Sequence, residues 1–120
     1  ISGGSGEDEL FGFGGNDTIM GAAGEDTLDG GLGQDVLIGG QGDDIFVIAD
    51  GEGADIIADF DAGDNSIGLA AGLTFDQLSF AGESILLDET NEILATVLGV
   101  ETTTLTASDF LLATSDFVSI

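Results

Sequence analysis

The chain has 120 residues, 24 of them Asp or Glu and none Lys, Arg or His, so its formal net charge is −24. No internal cation can pair these carboxylates, self-repulsion opposes compaction, and DNA, RNA and anionic membrane surfaces are not expected as partners because nothing here neutralises phosphate. Without His or Cys the usual ligands of zinc, copper, haem and iron–sulfur centres are missing, and without Lys as well the nucleophile–base pairs of hydrolases cannot be built.

Carboxylate and carbonyl oxygens remain, and those suit hard cations such as calcium or magnesium. Such acidity often marks disorder, yet 42% of the residues are hydrophobic, too many for a solvating tail. The two facts fit together if an external cation completes the fold. The length suits one small domain. No apolar run reaches the roughly eighteen residues of a membrane span. The opening "ISGGSG" has neither the charged nor the apolar region of a secretory signal peptide. Zero Cys rules out disulfides and leaves the redox compartment unread.

In chain order, the first feature is a repeat of nine. From residue 3 the sequence reads GGSGEDELF, GFGGNDTIM, GAAGEDTLD, GGLGQDVLI, GGQGDDIFV. Position 1 is Gly3, Gly12, Gly21, Gly30 and Gly39; position 4 is Gly6, Gly15, Gly24, Gly33 and Gly42. Position 6 is Asp8, Asp17, Asp26, Asp35 and Asp44, and position 8 is Leu10, Ile19, Leu28, Leu37 and Phe46. Position 2 is looser, with Phe13 and Ala22 in place of Gly. A degenerate copy, DGEGADIIA (50–58), follows after two extra residues and puts Asp55 at position 6 and Ile57 at position 8. The slip predicts a longer strand, Ile45 to Ala49, before it.

Glycines permit positive φ and close backbone approach, so positions 1–6 form a tight turn. The last three residues form a short strand with position 8 inward and positions 7 and 9 outward. Nine residues cannot fold alone, so units stack. Two units make one coil of a flattened right-handed roll, and repeats n and n+2 lie one above the other. The outward positions run from Glu9 and Phe11, through Thr27 and Asp29, to Val36, Ile38, Ile45 and Val47. This growing apolar face predicts that the rest of the chain packs over the last coils.

A column of position-6 carboxylates about 4.8 Å apart would cost on the order of a few kcal/mol per like-charged pair at intermediate dielectric. A calcium ion between coils reverses the sign. It takes about six to eight oxygens at about 2.3–2.6 Å, which two Asp side chains and the carbonyls of the glycine turns can supply. One isolated turn of this kind would be read as an Asp capping its own backbone. In-register copies without a counter-cation point to calcium instead. The position-5 acids Glu7, Glu25 and Asp43 share their position with Asn16 and Gln34 and read as solvated surface.

The pattern resembles the RTX (repeats-in-toxin, hemolysin-type) nonapeptide, a calcium-binding parallel β-roll. The likeness covers 3–47 and continues through "DIIADFDAGDNSIGL" (55–69), similar to the flank that follows the last repeat in such domains. That family usually has an acid where Asn65 stands. The resemblance implies an all-β, right-handed parallel β-roll over residues 1–66 and a C-terminal β-rich capping segment over 67–120, as one continuous unit. It implies metal ligands Asp8 paired with Asp26, Asp17 with Asp35, and Asp26 with Asp44, with Asp35 or Asp44 pairing Asp55. Carbonyls of Gly3, Gly12, Gly21, Gly30 and Gly39 and of the following turn residues would complete roughly three to five calcium sites.

Past residue 66 the composition changes: the first 66 residues hold 17 of the 21 glycines and 16 of the 24 acids. "LTFDQLSF" (73–80) reads as a short strand or turn. "ESILLDETNEILATVLGV" (83–100) reads as a β-hairpin around Glu89–Asn91. "LTASDFLLATSDFVSI" (105–120) predicts a helical turn beginning at Ser108, an N-cap type of residue. The ending Asp116-Phe117-Val118-Ser119-Ile120 resembles the uncleaved signal by which RTX proteins leave through type I secretion.

The function expected is a calcium-binding module that stays expanded in the calcium-poor cytosol, folds on extracellular calcium and serves secretion of a larger bacterial protein, of which this chain is a C-terminal fragment. Its place is extracellular or at the cell surface. The alternative is a calcium-dependent structural or adhesive surface module. Catalysis by this chain is not expected. Paired carboxylates can hydrolyse glycosides, but no pocket with a separate acid and base is evident and no Trp or Tyr could stack a sugar. Nor does "GFGGND" cradle phosphate, since no Lys follows and the acids repel it. No small-molecule substrate is expected.

Overall fold

The computed structural model describes residues 2–49, 53–61, 64–70 and 73–112. Its glycine turns alternate with short strands: β1 (Glu9–Phe11), β2 (Thr18–Met20), β3 (Thr27–Asp29), β4 (Val36–Ile38), β5 (Ile45–Ile48), β6 (Asp55–Ile57) and β7 (Ser66–Leu69). Each strand starts where the glycines end, because apolar and β-branched side chains favour the pleated, half-buried surface that a turn residue cannot fill. The longer strand expected before the degenerate repeat is β5, which stops at Ile48 rather than Ala49.

The strands deal alternately into two sheets. Odd strands give the order β1-β3-β5-β7, even strands β2-β4-β6, and every pair among them is parallel. This is the parallel β-roll expected from the repeat. Position 8 forms one continuous ladder on the inner face of each sheet: Leu10, Leu28, Phe46 and Ile67 in one, Ile19, Leu37 and Ile57 in the other. All but Leu10, on the outermost strand, are fully buried. A core of stacked single residues suffices because each coil covers the next.

The second half continues the same two sheets. A 3₁₀ turn (Phe75–Gln77) leads into β8 (Leu78–Ala81), then β9 (Ser84–Leu87) and β10 (Glu92–Val97). β8, β9 and β10 form an antiparallel meander. Its hairpin turns around Asn91, which holds a positive φ of 59°. β10 pairs parallel with β6, setting Val97 beside Ile57, and β11 (Phe110–Leu112) pairs parallel with β7, setting Phe110 beside Ile67. The inner ladders thus run unbroken out of the repeats, and one apolar cluster joins Ile19 to Leu94, Leu105 and Phe110. No α-helix occurs among the described residues, and no helix there is long and apolar enough to cross a membrane.

Three local expectations are corrected. The described C-terminal strands add edge-on to the sheets instead of lying across the outward faces of β4 and β5, since β6 and β7 expose unpaired backbone groups that demand partners. Val36, Ile38 and Ile45 remain half-buried and only Val47 is buried. Asp29, read as outward, is buried, with Oδ1 accepting the Gly31 N–H at 3.0 Å. The helical turn is a 3₁₀ turn over Ala107–Asp109 whose N-cap is Thr106, not Ser108. The Thr106 N–H donates to Asp109 Oδ2 at 2.9 Å, which closes the turn two residues earlier. Of residues 105–120, those after Leu112 lie outside the described residues.

β6 offers a direct check of the register, because Ile57 is 0% exposed and its neighbour Ile56 is 36% exposed. Ile57→Ala should cost about 2–5 kcal/mol. Ile56→Ala should cost less than about 1 kcal/mol. Urea unfolding in saturating calcium measures both, and equal losses would contradict the inward ladder.

Candidate metal centre

The position-6 aspartates sit at the junction of turn and strand, so each carboxylate is directed along the stack by the first strand peptide. They form two columns. In one, the Asp8 N–H donates to Asp26 Oδ1 at 2.9 Å and the Asp26 N–H to Asp44 Oδ1 at 3.0 Å. In the other, the Asp17 N–H donates to Asp35 Oδ1 at 2.7 Å and the Asp35 N–H to Asp55 Oδ1 at 3.1 Å. Of the two neighbours left open for Asp55, Asp35 is the one whose N–H its Oδ1 accepts. The two extra residues lengthen the loop without changing which sheet the next strand joins.

Oδ1 of Asp26, Asp35, Asp44 and Asp55 is thus engaged by the N–H of the preceding coil. Oδ2 of Asp8, Asp17, Asp26, Asp35 and Asp44 is buried and has no hydrogen-bond partner. Buried anionic oxygens in this state are costly unless a cation meets them. In Asp26, Asp35, Asp44 and Asp55 burial is the first cause of a raised carboxyl pKa, and neighbouring charges add to it. Asp26 and Asp35 lie above the ordinary value, with the charges of Asp8 and Asp17 acting in the same direction. Asp44 is pushed up to about 6, helped by Asp26, Asp59 and Asp43. Asp55 is pushed up to about 8, helped by Asp35 and Asp29.

The position-1 glycines stand beside these oxygens. A Cβ on Gly21 would lie 2.6 Å from Asp26 Oδ2 and 2.7 Å from the Gly39 carbonyl oxygen, one coil on. On Gly3 it would meet Asp8 Oδ2 at 2.7 Å and the Gly21 carbonyl at 3.0 Å, and on Gly12 Asp17 Oδ2 at 2.9 Å and the Gly30 carbonyl at 2.6 Å. At Gly30 and Gly39 it would run into the carboxylates of Asp35 and Asp44. Glycine here is required by the space the carboxylate and carbonyl occupy, not by φ. At position 4 the requirement is φ itself, about 100° at Gly42 (101°) and Gly6 (99°). Position 2 is also left-handed, and Phe13 and Ala22 adopt φ of 68° and 70° there without being glycine.

Among the described residues no three carboxylates, or other side chains of the ligating type, converge on one point. An ion would have to be held between two Asp side chains and backbone carbonyls, as the coil-to-coil geometry allows. All-oxygen donors, a buried anionic atom without a partner and carbonyls alongside it fit a hard divalent cation such as calcium. The position-5 side chains Glu7, Asn16, Glu25, Gln34 and Asp43 are all exposed.

Sequence reasoning missed Asp59, and noted Asn65 only as standing where the resembled family has an acid, without placing it in the column. Asn65 is a further position-6 equivalent: its Oδ1 accepts the Asp44 N–H at 2.9 Å. Asp59 accepts the N–H groups of Gly39 and Gly40, each at 2.8 Å. The ladder from Asn65 to Ile67, an apolar residue two places after a polar one, was the available signal, but the loop before it breaks the nine-residue period.

Three outcomes follow from this geometry. Asp44→Ala should raise the calcium midpoint of folding far more than Asp43→Ala, and equal shifts in a calcium titration followed by circular dichroism would refute the register. Gly21→Ala should weaken calcium-dependent folding, whereas Gly14→Ala, with nothing within 4 Å of its added Cβ, should leave it unchanged. Without calcium, Asp44 and Asp55 hold protons more tightly folded than unfolded, so their contribution to stability is complete below about pH 4 and is lost as pH rises through about 6 and about 8. In EDTA, strand signal should therefore grow as pH falls from 8.5 to 5, and a decrease would contradict the assignment.

Residues 1–28 and 11–46 match the RTX calcium-binding nonapeptide repeat, in 4 copies. Among solved structures the chain is similar to the extracellular lipase LipA from Serratia marcescens, at 23% identity and a TM-score of 0.50 over 92% of this chain. It spans 20% of that lipase chain, and the likeness is one of fold. No curated protein matches. Residues 1–46 match the calcium-binding nonapeptide repeat of the RTX family, and β1 to β5 stack as the parallel β-roll that carries Asp8, Asp17, Asp26, Asp35 and Asp44.

Proposed function

We propose that this chain is the calcium-dependent folding and export module of a larger secreted bacterial protein. The observation that carries the reading is the set of buried, partnerless Oδ2 atoms on Asp8, Asp17, Asp26, Asp35 and Asp44 in a chain of net charge −24 with no cation of its own. Bound calcium supplies the missing positive charge. A ligand that binds only the folded state stabilises it by mass action, and ligands pre-arranged only by folding make binding and folding one event. Extracellular modules bind calcium at about 10⁻⁴–10⁻³ M. Cytosolic calcium is far below that, so the chain stays expanded and can thread an exporter. Outside, the ions drive the coils together and folding draws the chain outward.

The apolar cluster is shared between the repeats and β8–β11, so ion binding in the coils is transmitted to the C-terminal half through packing. The proposed type I secretion signal, residues 116–120, lies outside the described residues. This chain acts without catalysis of its own. The hollow beside Phe75 and Phe110 carries Asp76 as its one acid, with no His, Cys or Lys anywhere in the sequence to act as its base. Any enzymatic or toxic activity belongs to the rest of the parent protein.

Circular dichroism tests the switch. Little ordered strand is expected in EDTA and a cooperative gain at millimolar calcium; strong strand signal in EDTA at pH 8 would sink the reading. For export, a passenger fused to residues 1–120 should leave the cell through a type I system and stay inside when 113–120 are deleted. Secretion unchanged by the deletion would favour the structural or adhesive surface role instead.

A further inference from the structure

The flank after β6 supplies two side chains that do at the end of the roll what another coil does elsewhere. The N–H groups of Gly3, Gly12 and Gly21 donate to backbone carbonyls at the next strand end, those of Met20, Asp29 and Ile38, at 2.9, 2.9 and 2.8 Å. At Gly39 the acceptor is a side chain: Asp59 Oδ1 takes the Gly39 N–H and Asp59 Oδ2 the Gly40 N–H, both at 2.8 Å. Two successive backbone N–H groups make a seat for an anion, and a carboxylate fills it.

The aspartate column ends in the same manner. Asn65 continues the run Asp8, Asp26, Asp44, with Oδ1 accepting the Asp44 N–H at 2.9 Å. That donor determines which way the amide points, so Nδ2 lies on the other side, donating to the Asp59 carbonyl at 3.4 Å. Where Asp8, Asp26 and Asp44 present a buried, partnerless Oδ2, Asn65 presents an NH₂ group. An amide nitrogen is a donor with no lone pair for a cation.

We propose that Asp59 and Asn65 terminate the calcium array by reproducing the hydrogen bonds of a further coil without its ligands. The inference rests on the calcium reading above and sharpens it. Ions occupy the four steps with a carboxylate on each side, Asp8–Asp26, Asp26–Asp44, Asp17–Asp35 and Asp35–Asp55, and none occupies Asp44–Asn65. Termination answers a physical need. An open coil leaves backbone groups unpaired, while another carboxylate facing Asp44 would add repulsion unless another ion came with it.

The test is calcium stoichiometry of the whole chain, by equilibrium dialysis with ⁴⁵Ca at saturating calcium, with circular dichroism confirming that each variant is folded. Asn65→Asp should gain one ion and, in EDTA, be less ordered than the unmodified chain. Asp59→Ala should keep the full number of ions but need more calcium to fold. Asp44→Asn should lose one ion, from the Asp26–Asp44 step alone. No gain in Asn65→Asp, an ion lost in Asp59→Ala, or two lost in Asp44→Asn would each overturn the termination. No calcium bound by the unmodified chain would sink the calcium reading itself, a result distinct from all three.

Discussion

Everything in this molecule depends on like charges being stacked one coil apart. Strands that share a parallel ladder lie about 4.8 Å from one another, so residues repeating at the same position are forced into contact range whether they attract or repel. At position 8 this creates an apolar ladder and favours the fold; at position 6 it stacks carboxylates and opposes it. Asp26, Asp35, Asp44 and Asp55 each accept, on Oδ1, the N–H of the aspartate one coil back, and that hydrogen bond holds the column in register. Oδ2 has no protein partner in Asp8, Asp17, Asp26, Asp35 or Asp44. The chain satisfies its apolar half by itself, while its anionic half suits a hard cation, and the proposed dependence of folding on calcium rests on that asymmetry.

Glycine serves the same constraint from the other side. At position 1 the carboxylate and a carbonyl of the next coil take the space where a Cβ would stand. At position 4 the backbone is left-handed. Two different physical demands thus produce one letter in the sequence. Position 2 shows the difference between a preference and a requirement, since Phe13 and Ala22 accept left-handed φ at the modest cost that an L side chain incurs there. The second half of the chain uses none of this chemistry. It extends both sheets with apolar strands, so that the edges of β6 and β7 meet β10 and β11, and its core is continuous with that of the coils.

Much of this was legible because period and side-chain alternation are local properties. A nine-residue repeat with Asp at position 6 and a large apolar residue at position 8 dictates the strands, their inward face and the spacing of eighteen between partners such as Asp26 and Asp44. The hairpin around Asn91 was legible from two apolar arms flanking polar turn residues. Where the period breaks, legibility fails. Asn65 follows Asp44 by 21 residues, and Asp59 belongs to no repeat position that the pattern defines. Asp29 was misplaced because alternation assigns a direction to Cβ and says nothing of a carboxylate that bends back to accept the Gly31 N–H. Thr106 supplanted Ser108 as the cap because a 3₁₀ turn of three residues leaves room for only one starting position before β11.

The amino-acid sequence by itself determined the unit: a glycine turn, a carboxylate, a strand with one residue inward, an excess of negative charge with no internal answer, and hence the class of cation the columns suit. Those are consequences of composition and of a period short enough to be read within a few residues. Tertiary structure decided how the units end and what they join. Which column receives Asp55, that Asn65 and Asp59 accept the backbone N–H groups of Asp44 and Gly39, and that the C-terminal strands add to the sheet edges instead of covering an outer face are all matters of pairing between residues some twenty or more positions apart. Only the folded chain, with its backbone donors placed, shows which acceptor each one meets.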